Sequence, residues 1–198
     1  MIELLVIGAT LLVAAGASGA QAHRRTRAAR VLAHYAHTRE LRLIPAPKRP
    51  RGSSPRVEGI HEDIVFTVDF YRLGGNLRSR VTATGKGRSP QLVVAQRSSF
   101  SRTFASATNG SVRSTEDAAF DKAFRVTCPA AEDIEALGAD TRKDILFLDA
   151  RSDVWLDANG SRVVLSWAGI ETNPRFFDAA RDAVCAIAAA QRSDSPYR

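Results

Sequence analysis

This sequence has few of the residues that disulfide, metal or redox chemistry needs. Its 198 residues include two cysteines, four histidines, one methionine and two tryptophans. Two cysteines cannot build the framework that staples small secreted scaffolds, and without a Cys-x-x-Cys pair they do not form a structural zinc site. Cys128 and Cys185 both sit beside apolar positions and read as small, reduced core residues. They could pair only in an exported domain whose fold brings them within bonding reach. His34 and His37 are three residues apart, but no third metal ligand accompanies them. His61 lies beside Glu62 and Asp63 at a strand start, where polar residues are ordinary. Also missing are a Walker loop, GxGxxG, HExxH and GxSxG; Gly85-Lys86-Gly87 lacks the phosphate-loop spacing. No cofactor, metal or catalytic residue is expected.

Acid is scarce where base is dense. Ten of the 28 Lys/Arg fall between His23 and Arg56, where Glu40 is the only acid. After Arg56, 18 basic residues meet 19 acidic ones. The net charge of +7 is therefore local. Nucleic-acid binding, which more often spreads positive charge over a folded face, is not expected.

Long apolar runs are absent but for one. Leu4 to Ala22 is 19 residues without a charge. As a helix it would reach about 28 Å, close to the hydrocarbon thickness of a bilayer. Only Glu3 is charged before it, and Arg24, Arg25, Arg27 and Arg30 follow it. That asymmetry predicts a single-pass membrane anchor over residues 1–22 with the rest in the cytoplasm. Ala20-Gln21-Ala22 also resembles a cleavage site, so a periplasmic or secreted product is the alternative. Residues 23–44 are expected to continue as a basic juxtamembrane helix whose four arginines can reach lipid phosphates. Residues 45–56, with Pro45, Pro47, Pro50 and Pro55, read as a stiff linker. Residues 57–198 form the folded domain.

In that domain the period changes to two. Ile64, Phe66, Val68 and Phe70 alternate with Val65, Thr67, Asp69 and Tyr71. Leu73 to Asn76 is a turn, Arg78 to Thr84 alternates again, and Gln91 to Gln96 is a third strand. Ser98 to Ser114 reads as an edge strand or loop. Phe120 and Phe124 mark a helical turn running into a strand through Val126 and Cys128. A helix over 130–137, closed by Gly138, precedes a second one from a capping box at Thr141 through Leu148. Asn159-Gly160 predicts a type I′ hairpin in which Asp157 faces Arg162 and Trp155 faces Val164. That pairing puts Trp155 on the sheet face opposite Val154 and Leu156, while Trp167 is a core residue. Asn173 or Thr172 caps a last helix with Pro174 in its first turn and Phe176, Ala180, Val184 and Ile187 as its buried stripe. The fold class is α+β: an antiparallel sheet with helices on one face and a C-terminal capping helix, preceded by one transmembrane helix.

The segment Phe120 to Val126, "FDKAFRV", the two short helices, the hairpin and the closing "RFFDAARDAV" (Arg175 to Val184) together resemble the C-terminal region of bacterial membrane-anchored proteins of unknown function. The resemblance implies architecture and anchoring; it transfers no catalytic residue.

These features predict a non-enzymatic, membrane-tethered binding or scaffolding module with another protein as partner. Trp155 and the arginines Arg97, Arg102 and Arg113 are its candidate binding residues. One alternative is an unfamiliar enzyme working from acids such as Asp117 and Asp121. The other is a sensor of anionic lipid through Arg24, Arg25, Arg27 and Arg30.

Overall fold

The computed structural model describes residues 23–46, 54–85, 87, 90–98 and 110–190. A helix over residues 23–38 (α1) leads into β1 (Arg42–Ile44), β2 (Arg56–His61), β3 (Ile64–Leu73) and β4 (Asn76–Thr84). Next come β5 (Leu92–Gln96), β6 (Ser111–Arg113), α2 (Ala118–Ala123), β7 (Phe124–Cys128) and α3 (Ala139–Phe147). The hairpin β8 (Trp155–Asn159) and β9 (Arg162–Ala168) precedes the last helix, α4 (Pro174–Ala189). Among the described residues the strands form one antiparallel sheet in the order β1-β2-β3-β4-β9-β8-β5-β7-β6.

The period-two patterns decide which face is core. Ile64, Phe66, Val68 and Phe70 of β3 are buried, as are Val81 and Ala83 of β4 and Val163, Leu165 and Trp167 of β9. All face α4, which lies against β2, β3, β4 and β9. Asn173 caps α4, its side chain accepting from the Arg175 backbone N–H, and Pro174 occupies the first turn, where no N–H is needed. The predicted stripe of Phe176, Ala180, Val184 and Ile187 is buried. Phe177, on the same side, meets three other rings: Tyr35 at 5.1 Å, Trp167 at 5.8 Å and Phe70 at 6.2 Å between centroids.

The expected single-pass membrane architecture is corrected. Among the described residues no helix is long and apolar enough to cross a membrane. Residues 1–22, on which the anchor was placed, lie outside the described residues. The adjoining helix, expected as a basic juxtamembrane segment, packs against the sheet domain. α1 buries Ala28, Leu32, Tyr35 and Ala36 in the same core as the sheet. The Tyr35 hydroxyl donates to Asp178 Oδ1 at 3.1 Å, and Arg39 pairs with the same carboxylate. β1 then pairs with β2, so the proline-containing stretch joins two neighbouring strands of one sheet, and α1 shares the core of the domain.

Two local expectations also change. Residues 131–136 form a 3-10 helix, and Gly138 is the N-cap of α3; no side-chain cap is made there, so the Thr141 capping box is absent. The β8–β9 hairpin pairs Asn159 with Arg162, which shortens its loop to Gly160-Ser161. Only Gly160 has positive φ in that loop, the φ pattern of a II′ turn, so Trp155 pairs with Ser166 and Asp157 with Val164. In the stretch expected to be an edge strand or loop, Ser111–Arg113 form the short edge strand β6.

One carboxylate packs at a cost. Asp144 of α3 is half-buried, and burial, then Asp182 of α4 and Asp140, push its pKa up to about 6 against the opposing pull of Lys143 and Arg181. Between about pH 4 and 6 the folded state holds a proton that the unfolded chain has released, so stability falls as pH rises through that window. Asp144→Asn removes the penalty and flattens this dependence. Solvent screening limits the gain at neutral pH to about 1 kcal/mol, a rise of about 2–4 °C in Tm for a chain of this length. Thermal melts of both proteins at pH 4.5 and 7.5 test this; an equal Tm difference at both pH values contradicts it.

Candidate functional site

The sheet face turned away from α4 carries a polar ladder. It arises from the same alternation: Asp69 and Tyr71 of β3, Arg78 and Arg80 of β4, and Ser166 of β9 all fall on the parity opposite the core residues. Arg80 donates to both oxygens of its cross-strand partner Asp69, at 2.7 and 2.5 Å, and stacks over the Tyr71 ring with 4.6 Å to its centroid. The Tyr71 hydroxyl donates to Ser166 Oγ at 3.2 Å. Arg78 is 5% exposed. Its guanidinium pairs with the Asp153 carboxylate and donates to the Asp153 carbonyl at 2.5 Å and to Ser166 Oγ at 3.4 Å. Its buried Nε has no hydrogen-bond partner among the described residues.

A cleft of about 970 Å³ opens over this ladder. Tyr71, Arg78, Asp153 and Ser166 contribute its polar lining, Trp155 and Asp157 of β8 a further aromatic and acid. Leu73, Leu77, Ala168 and Ile170, from the ends of the β3–β4 and β9 strands, supply apolar surface. Leu73 is 47% exposed at the β3–β4 turn. The described start of α1 completes the cleft with His23, Arg24 and Arg27. Asp157 is exposed along one side yet walled by the sheet on the other; burial raises its carboxyl pKa, with Arg162 pulling the other way. Asp157 also borders a smaller hollow of about 320 Å³ beside Thr127 and Cys128.

The cleft brings together residues singled out in two separate parts of the sequence, Trp155 and the pair Arg24 and Arg27. Arg25 and Arg30 are exposed on α1 but do not line it. Arg97 and Arg113 are placed away from the cleft. Arg97 donates to the carbonyls of Asp121 and Phe124, at 2.7 and 3.1 Å, and so braces α2. Arg113 is exposed on the edge strand β6, and Arg102 lies outside the described residues.

The acids of the enzymatic alternative have local structural partners. Asp117 caps α2, accepting from the Ala119 and Phe120 N–H groups at 3.1 Å each. Burial alone would raise the Asp121 carboxyl, but hydrogen bonds from Ser114 and Thr115 outweigh it and hold the pKa below the usual range. Neither acid lines the cleft. His61 lies 3.3 Å from Asp182 on the α4 side. Both cysteines are buried free thiols; burial raises the Cys128 pKa and pushes that of Cys185 up to about 12, so neither is poised as a nucleophile.

Sequence reasoning missed Tyr71, Arg78, Asp153 and Asp157 as a group. The alternation placed Tyr71 and Arg78 off the core face, but their meeting with β8 depends on β9 pairing with β4, a contact across some 80 residues of chain that no local pattern announces.

No protein-family profile matches the chain, and no curated protein matches it in sequence. Among solved structures it is similar to the crystal structure of the mycobacterial trehalose monomycolate transport factor A, TtfA. The likeness covers 81% of this chain and 92% of that one, with a TM-score of 0.51 and 10% identity. At that identity the likeness is one of fold.

Proposed function

We propose that the protein is a non-enzymatic binding module whose ligand lies in the cleft formed by Trp155, Tyr71 and the start of α1. The observation that carries this reading is the composition of the cleft: two aromatic rings and exposed aliphatic surface beside a few fixed polar groups, at a volume near the upper end of the roughly 300–1,000 Å³ usual for ligand sites. Arg78, Asp153, Ser166 and Tyr71 are linked to one another by hydrogen bonds, suited to shaping a floor rather than to moving protons. The structural neighbour bears the name of a transport factor, which agrees with binding but is much weaker support than the cleft itself.

The test uses the full chain and the uncharged dye Nile red, whose emission rises in apolar surroundings. Trp155→Ala should weaken dye binding about tenfold, the scale of losing one aromatic anchor. Trp155 sits on the face away from the core, so the melting temperature should change little. Equal dye binding by both proteins would remove the cleft from consideration.

A further inference from the structure

We propose that the cleft takes a single-chain anionic amphiphile as a monomer, its head held by Arg24 and Arg27 and its apolar body against Trp155, Leu73 and Ile170. This rests on the cleft being the binding site, and it adds the chemistry of the ligand. Arg24 and Arg27 are three residues apart, so they share one face of α1, and both line the cleft. Among the described residues neither has an ion-pair partner. Like charges one turn apart repel each other; an anion between them converts that repulsion into two charge-assisted hydrogen bonds.

The acids of the cleft do not cancel this preference. Asp153 is bound to Arg78, so the two neutralise each other. That leaves Asp157 against two arginines, and burial favours the neutral form of its carboxyl. The cleft therefore combines net positive charge at its α1 end with Leu73, Leu77, Ala168, Ile170 and Trp155 elsewhere in its lining. A small inorganic anion would leave that apolar surface wet, and a neutral apolar ligand would leave the two guanidinium groups without a counter-charge. A chain carrying a phosphate or carboxylate head satisfies both. Because the apolar residues lie in a concave site, the chain must leave a bilayer or micelle to reach them, which is why the monomer is the ligand.

The tryptophans make the experiment direct. Trp167 is fully buried in the core, so a change in emission on binding reports on Trp155, and it should vanish in Trp155→Phe. The full chain is titrated with decyl phosphate, decyl maltoside and decyltrimethylammonium, each below its micelle concentration. Decyl phosphate should bind about tenfold or more tightly than the other two, and Arg24→Ala/Arg27→Ala should abolish that preference by weakening phosphate binding far more than maltoside binding. Both arginines are exposed, so the double variant keeps the fold. Equal affinity for the three heads, or unchanged phosphate binding by the double variant, would overturn the anionic ligand while leaving the cleft as a binding site. No Trp155 response to any of the three would remove the cleft and this inference together. Binding to phosphatidylglycerol vesicles that decyl phosphate does not compete away would assign the two arginines to a bilayer surface instead, and would also overturn the proposal.

Discussion

Phe177→Ala should destabilise the fold by about 3–5 kcal/mol, the range for deleting a large ring from a packed interior. Phe177 is 1% exposed and touches Tyr35 of α1, Phe70 of β3 and Trp167 of β9, so one side chain joins the first helix, the last helix and two strands of the sheet. Those partners are themselves large and held by other contacts. Tyr35 is tied by its hydroxyl to Asp178, and Trp167 is fully buried. They cannot readily collapse into the space the ring leaves, and a site that cannot collapse sits at the upper end of the range. Urea unfolding followed by circular dichroism gives the free energy, and the Tm should fall by on the order of 10 °C. A loss under about 1 kcal/mol would mean that α1 does not share the core of the sheet, since a ring contacting so little is cheap to remove.

That α1 belongs to the core is the point at which sequence and structure part most. The segment from His23 is dense in arginine, and the charges dominate any reading of it; yet Ala28, Leu32, Tyr35 and Ala36 follow the spacing of a helical stripe, and it is this stripe that the fold buries. Where the apolar pattern is stronger than the charge pattern, sequence and structure agree. β3, β4 and α4 were legible from their periods and caps, because those signals are local. The pairing of β1 with β2, the insertion of the β8–β9 hairpin between β4 and β5, and hence the cleft itself, depend on contacts distant in sequence. The face of Trp155 survived an incorrect register for a simple reason: the observed pairing is displaced by two residues, and only an odd displacement exchanges the faces of a strand.

Asp153→Asn should cost about 3 kcal/mol, more than the loss of an exposed ion pair, because it leaves a charge in the interior without its counter-ion. The side chain of Arg78 is 6% exposed and that of Asp153 32%, so water can reach the carboxylate but scarcely the guanidinium. Asparagine is the informative replacement. Asp153 has φ of +58°, a conformation asparagine tolerates and alanine does not, and the backbone carbonyl that accepts from Arg78 is kept. The loss therefore reports the charge and not a strained turn. Adding Arg78→Met should recover much of it, since the interior then holds no unpaired charge and the methionine fills similar space; the double variant should be more stable than Asp153→Asn alone. Urea unfolding of the two single variants and the double one measures the coupling. Additive losses would show that Arg78 and Asp153 act independently, and the cleft could then no longer be counted as having one of its two acids neutralised. The same variant bears on the ligand. With Asp153 uncharged, Arg78 joins Arg24 and Arg27 as positive lining of the cleft, so decyl phosphate should bind Asp153→Asn at least as tightly as the parent, even as the fold that holds the site becomes weaker.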